Sequence, residues 1–297
     1  MNIGEEIRKI FNQGTSLTKL ILINLGVFLI LKILGVFFYL FQNDLADSTF
    51  INYLALPADL STLAKRPWTI LSYMFLHYGF FHILFNMLWL FWFGKIFLEY
   101  LDQKKLLSIY LLGGISGGAL FILAYNVFPA FQQSLPISVA LGASAAVLAI
   151  VMTISFYAPD YRINLMFIGP VKLKYIAIAT IIMDILSIQG DNAGGHIAHL
   201  GGALFGFIYA SQIKKGKDIS RGFNRLMDWV VTVFKPRPKL KVDYKRPKHK
   251  TETDIEYRTR KVEEQKEIDR ILEKISKSGY EALNKEEKEI LFRTSNK

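Results

Sequence analysis

The sequence predicts an all-α membrane protein of six transmembrane helices with a cytoplasmic C-terminal helical extension. Three observations carry that prediction. The 297 residues are 52% hydrophobic and 14% aromatic, with a mean hydropathy of +0.27, too apolar for an ordinary soluble chain. Apolar runs close to the roughly 20 residues that span a bilayer recur at 20–41, 70–97, 106–127, 142–158, 171–188 and 195–213. The charge is also segregated: of the net +11, residues 1–213 hold +2 and residues 214–250 hold +10, from thirteen basic and three acidic side chains. There is no cysteine, which excludes a disulfide framework, a thiol nucleophile and a thiolate metal site.

The first run is too long for a signal-peptide core and lacks a small-residue cleavage site, so it reads as a retained helix. The loop 42–68 alternates apolar and polar residues and closes on Trp68, the pattern of short helices lying in the interface with an aromatic anchor. The remaining runs must be helical, because lipid offers backbone polar groups no other partner. The fourth is short and is approached through Gln132-Gln-Ser-Leu-Pro136, which suggests a helix beginning inside a protected, partly wet cavity.

Lys and Arg crowd the N-terminus, the second-to-third and fourth-to-fifth connections and the tail, and are absent from the third-to-fourth and fifth-to-sixth connections. The positive-inside rule then puts both termini in the cytoplasm; Lys65-Arg66 in the first loop runs against it. Residues 1–18 are an N-terminal segment, 19–213 the six-helix core, 214–262 a basic linker and 263–297 a small charged helical segment. Lys235-Pro-Arg-Pro-Lys239 and Arg246-Pro-Lys-His-Lys250 mark that linker as extended. The apolar spacing of Ile268, Ile271, Leu272 and Ile275, then Leu283, Ile290 and Leu291, predicts a helix pair turning at Gly279. A basic stretch just after the last span faces anionic lipid; no nucleic-acid partner is expected.

Polar side chains within apolar spans are costly and thus functional candidates. Ser144 opens the fourth span in Gly142-Ala-Ser-Ala-Ala146, where free N–H groups of a helix start can hold an oxyanion. His199, in the sixth span, has Gly202 and Gly206 on its own face, a stripe that lets the helix approach a neighbour closely. That approach brings the imidazole within reach of the hydroxyl as a general base. His196 has no such face. His82 and Asn86, four residues apart on the second span, share a face and offer oxyanion donors. They are expected about halfway along that helix, with His77 pointing elsewhere. No aspartate is obviously placed to orient His199; Asp184, late in the fifth span, and Asp191, in the next loop, are each candidates to assist it, and a Ser144–His199 dyad is the simpler arrangement.

These residues resemble the rhomboid family of intramembrane serine proteases: Gly142-Ala-Ser144, His199 with Gly202 and Gly206, and His82 with Asn86 occur in family order. Pro67-Trp68 through Phe75-Leu-His77 is similar to the family's junction into the second helix. The resemblance spans roughly residues 15–213. It implies a six-helix rhomboid core opening to the outer side, Ser144 as nucleophile, His199 as general base and acid, and the Ser144 N–H with His82 and Asn86 as oxyanion hole. It also implies single-pass membrane-protein substrates, no cofactor, no metal and residence in a bacterial inner membrane. Ala145, Thr69 and Leu148 depart from the residues many members carry. Two other classes are open: a noncatalytic binder of membrane helices with the same fold, and a membrane metal enzyme using His77, His82, His196 and His199.

Overall fold

The computed structural model of the chain describes residues 14–42, 50–165, 168–234 and 253–295. Two compact units, 1–235 and 236–297, divide it. Helix α1 (Ser16–Leu40) starts at Thr15, whose side chain accepts the Thr18 N–H. Only Leu17, Leu20 and Asn24 of α1 are buried; Leu29, Ile30, Ile33 and Val36 face outward, an apolar surface that suits hydrocarbon and not water. Asn24 would be costly there without partners. Its amide donates to the Leu20 carbonyl at 2.8 Å and to the Tyr110 hydroxyl at 3.0 Å, and that hydroxyl donates to the Met74 carbonyl at 3.0 Å.

The first loop carries the short strand β1 (Leu56–Pro57) and helices α2 (Leu60–Lys65) and α3 (Thr69–Ser72). Asp59 caps α2; hydrogen bonds from Ser61 and Thr62 lower its carboxyl to about 2. Trp68 donates its indole N–H to the Tyr53 carbonyl at 3.1 Å. The expected second span, 70–97, is not one helix. After α3 come a 3-10 turn (Tyr73–Phe75) and an extended stretch, and α4 (Phe80–Tyr100) begins only after Gly79, at φ −140° and ψ 169°. Tyr73, Met74, Leu76 and His77 of the break are buried in protein, the condition under which irregular backbone is tolerated at depth.

Helix α5 (Gln103–Val127) is capped by Asp102, which accepts the Lys105 N–H. Strand β2 (Val139–Ala140) then pairs antiparallel with β1, Leu56 opposite Ala140. Helix α6 is Ser144–Tyr157, and a hairpin of β3 (Arg162–Leu165) and β4 (Gly169–Lys172) follows. The hairpin takes Val171 and Lys172 from the expected fifth span, so α7 runs Leu173–Leu186. Helices α8 (Ala193–Lys214) and α9 (Arg221–Phe234) complete the unit.

On length and composition α1, α4 and α5 can each cross a membrane. Helix α6, with 14 residues, is about 21 Å long against a hydrocarbon core of about 30 Å. Every residue from Ala145 to Ser155 is buried, so α6 faces other helices and its ends need not reach water. Close packing around it rests on glycines. A Cβ on Gly117 of α5 would meet the Ala145 Cβ at 2.5 Å and the Ala198 carbonyl oxygen at 2.7 Å; one on Gly202 would meet the Ala145 carbonyl oxygen at 2.1 Å, and one on Gly206 that of Ala149 at 2.3 Å. Small residues at such contacts let backbones touch, and the packing gain substitutes for a hydrophobic force that lipid cannot supply.

In the second unit, α10 (Asp254–Ser278) starts with a capping box between Thr253 and Glu256 and stops at Gly279, φ +79°. Helix α11 (Lys285–Ser295) follows. Ile271 and Leu283 are buried, and Lys274 pairs with Glu287 at 2.8 Å. Helix α10 begins nine residues before the expected boundary at 263. The linker motifs 235–239 and 246–250 lie outside the described residues.

Candidate active site

Three helices, α4, α6 and α8, deliver the candidate side chains to one cavity of about 760 Å³, lined by Ser144, His82, Asn86, His199, Gly142 and Asn192 among others. Ser144 is the first residue of α6, and its N-cap, Ala143, makes no side-chain capping bond. The first N–H groups of the helix therefore have no intrahelical acceptor, and they lie where the positive end of the helix dipole points. The approach to the serine is held by the β1–β2 pair and by the Gly142 N–H, which donates to the Tyr73 carbonyl at 2.9 Å.

Gly142 shows how tightly the site is drawn. Its φ of +132° is in the range that favours glycine, and a Cβ there would lie 3.0 Å from His82 Nε2 and 3.5 Å from Ser144 Oγ. The imidazole edge and the hydroxyl thus flank one bare backbone position. Because α4 starts at Phe80, His82 sits in its first turn and Asn86 one turn on, not halfway along the helix as expected. That late start is what aligns them in depth with the beginning of α6. Asn86 spends one amide hydrogen on the His82 carbonyl at 2.8 Å; its second amide hydrogen makes no hydrogen bond among the described residues. His77, expected to point elsewhere, is not among the described residues that line the cavity; its buried ring stands 5.0 Å from that of His82, edge to face.

His199 lines the cavity and His196 is not among its described lining residues. Gly202, one turn beyond His199, rests on the backbone of Ala145, the residue after Ser144, and Gly117 touches both Ala145 and Ala198. The neighbours of the serine and of the histidine therefore meet at one three-helix contact. No hydrogen bond joins Ser144 Oγ to His199 among the described residues; the two side chains face the same space.

Of the two acids that the sequence left as alternatives beside His199, Asp184 is the one in contact with it. In the last turn of α7, with 4% of its surface exposed, it places Oδ1 2.8 Å from His199 Nδ1 and 2.8 Å from His196 Nδ1. The ligand atoms of these three residues lie within 4.8 Å of one another, so the acidic partner that a histidine metal site needs comes from a neighbouring helix. That set is not the expected one, since His77 and His82 form a separate pair. The α5 glycines were unassigned, although Gly113-Gly and Gly117-Gly, four apart, carry the helical spacing of a packing face.

Fold and cavity together define a polytopic helical membrane protein with a polar site sunk between its helices. A family model described as the Rhomboid domain matches residues 64–215, and the chain belongs to the rhomboid family. A second model, a family of unknown function (DUF6576), matches residues 251–297. The chain is 33% identical over 162 residues to RHOMBOID-like protein 12, mitochondrial, of Arabidopsis thaliana, covering 51% of this chain and 48% of that one. It is 28% identical over 138 residues to the Presenilin-associated rhomboid-like protein A, mitochondrial, of Danio rerio, 46% and 34% of the two chains. With Rhomboid protease GlpG of Klebsiella pneumoniae it shares 32% over 80 residues, 27% and 29% of the two chains. The matches span about half the length of these relatives, or less.

Proposed function

We propose that the chain is an intramembrane serine endopeptidase that cleaves transmembrane segments of other membrane proteins through an acyl-enzyme. Ser144 Oγ attacks the scissile carbonyl as His199 Nε2 takes its proton. The oxyanion forms against the Ser144 N–H, the His82 Nε2–H and the free Asn86 amide hydrogen. Collapse breaks the C–N bond as His199 returns the proton to the leaving amine, and water, deprotonated by His199, then hydrolyses the ester. The observation that carries this reading is the single cavity shared by Ser144, His199, His82 and Asn86. Substrate enters as an extended segment, because a peptide bond within an intact helix is shielded from attack. The test is cleavage of a labile single-pass reporter by the full chain in lipid vesicles. If His82 and Asn86 are oxyanion donors, His82→Ala and Asn86→Ala each lower kcat by about 10²-fold with KM nearly constant; a loss confined to KM assigns them to substrate binding instead.

A second reading has one observation in its favour: Asp184, His196 and His199 have the spacing of a cation site. It expects stoichiometric metal in the purified protein and activity indifferent to Ser144→Ala.

The lipid partner of this reading is the leaflet beside α9, on the cytoplasmic side. Arg221, Asn224, Arg225, Asp228 and Thr232 share one face of α9. Asn224 accepts from Ser108, and Asp228 pairs with Lys104 at 3.2 Å, at the start of α5. The opposite face exposes Leu226, Trp229 and Val233, the division of an in-plane helix with its apolar side in the acyl boundary. As the chain has no cysteine, Leu226→Cys and Arg225→Cys each accept a single nitroxide. In anionic vesicles the Leu226 label is expected to collide preferentially with oxygen and the Arg225 label with an aqueous nickel complex; equal profiles would remove α9 from the membrane.

A further inference from the structure

We propose that Asp184 is the positioning residue of the site: it fixes the His199 ring with Nε2 toward Ser144, making the dyad a triad whose carboxylate is shared with a second imidazole, that of His196. The inference rests on the proteolytic reading above. A carboxylate oxygen accepts hydrogen bonds and does not donate them. With Asp184 Oδ1 2.8 Å from both Nδ1 atoms, each ring carries its proton on Nδ1. A neutral imidazole protonated there has its lone pair on Nε2, which is the form a base for the serine requires. Packing alone cannot select that tautomer, since the two neutral forms have the same shape.

The burial of Asp184 gives the arrangement its force. An ionised carboxylate away from water is unfavourable unless hydrogen-bonded and paired. Here Oδ2 is buried with no hydrogen-bond partner among the described residues, so Oδ1 carries the whole hydrogen-bonding load of the group. When His199 takes the Ser144 proton, the imidazolium and the carboxylate form an ion pair at short range, within a site of low dielectric where such pairing is strong. The proton stays on His199 and goes on to the leaving amine; Asp184 is not itself protonated in the cycle. His196, three residues before His199 on α8, donates the second bond to the same oxygen and so steadies the carboxylate from the helix that bears the base. Its ring stands edge to face with that of His199, centroids 5.7 Å apart.

Asp184→Asn keeps the shape, removes the charge and lets the amide present N–H to Nδ1, which selects the wrong tautomer. Asp184→Ala removes the hold altogether, and Asp184→Glu keeps the charge on a longer arm. The experiment measures kcat, KM and thermal unfolding for these variants of the full chain in lipid vesicles, beside His196→Ala, Ser144→Ala and His199→Ala, with a single-pass reporter. Asp184→Asn and Asp184→Ala are expected to lower kcat by about 10²-fold or more with KM within about 2-fold of the parent. Asp184→Glu should recover part of the loss, and His196→Ala should cost less than Asp184→Asn, since one donor to Oδ1 remains. Should Asp184→Ala fail to fold, the isosteric Asp184→Asn decides. Asp184→Asn with kcat within about 3-fold of the parent, or Asp184→Glu no better than Asp184→Ala in folded protein, would overturn the inference. Activity that survives Ser144→Ala and His199→Ala defeats the proteolytic reading; loss in those two with activity kept in Asp184→Asn defeats only the role of Asp184.

Discussion

Ser144→Ala is expected to remove cleavage of a transmembrane reporter, with kcat falling by at least about 10³-fold while the protein unfolds at an unchanged temperature. The substitution deletes one hydroxyl at the first residue of α6, where no capping bond is lost, so stability has little reason to change. His199→Ala is expected to match it, and the double variant should be no worse than either single one. Groups that act as a unit fail together, and once the nucleophile is gone its base has nothing to do. Cleavage with intact rate in either single variant, at normal expression, would remove the mechanism. Protein of unaltered fold that binds the reporter and never cuts it, with Ser144 in place, would point to the noncatalytic binder instead.

The second large effect is expected at Gly202. Its missing Cβ would lie 2.1 Å from the carbonyl oxygen and 2.8 Å from the carbonyl carbon of Ala145, both backbone atoms of a helix buried on all sides. Neither can move aside alone, so Gly202→Val must push α8 from α6. Overpacking of this kind typically costs about 1–3 kcal/mol. Function should suffer more than stability, because a shift of about 1 Å between base and nucleophile can cost about 10²-fold in rate. Gly26→Val is the matching control: nothing lies within 4 Å of its built Cβ, and it is expected to leave kcat unchanged. Reporter cleavage and thermal unfolding check both. Parent-like kcat in Gly202→Val would mean that close helix contact is not what joins serine to histidine.

How far the sequence could be read depended on whether a feature was local. Helical spans announce themselves as apolar runs, and the stripe from His199 through Gly202 and Gly206 is a spacing on one helix, so both were legible. The break at residues 73–79 was not, because Tyr73, Met74, Phe75 and Leu76 are as apolar as any helix interior and only Gly79 punctuates them. That break is why His82 lies in a first turn and meets Gly142. Asp184 was visible as an acid late in a span, yet its two bonds reach residues 12 and 15 positions away on another helix, and no one-dimensional pattern encodes which turn of α7 faces α8. The β3–β4 hairpin was missed for a similar reason: Val171 and Lys172 continue the hydrophobic run into α7, and only their pairing with Ile163 and Arg162 makes them strand.

The central claim is that Ser144 is a nucleophile activated by His199 across the α6–α8 contact. The most direct measurement maps the residue modified when the full chain, in lipid vesicles, reacts with a fluorophosphonate, which forms an Oγ–P bond and expels fluoride. The account predicts a single adduct on Ser144 that His199→Ala all but abolishes. An adduct on another residue, or labelling of Ser144 that proceeds undiminished without His199, would contradict it.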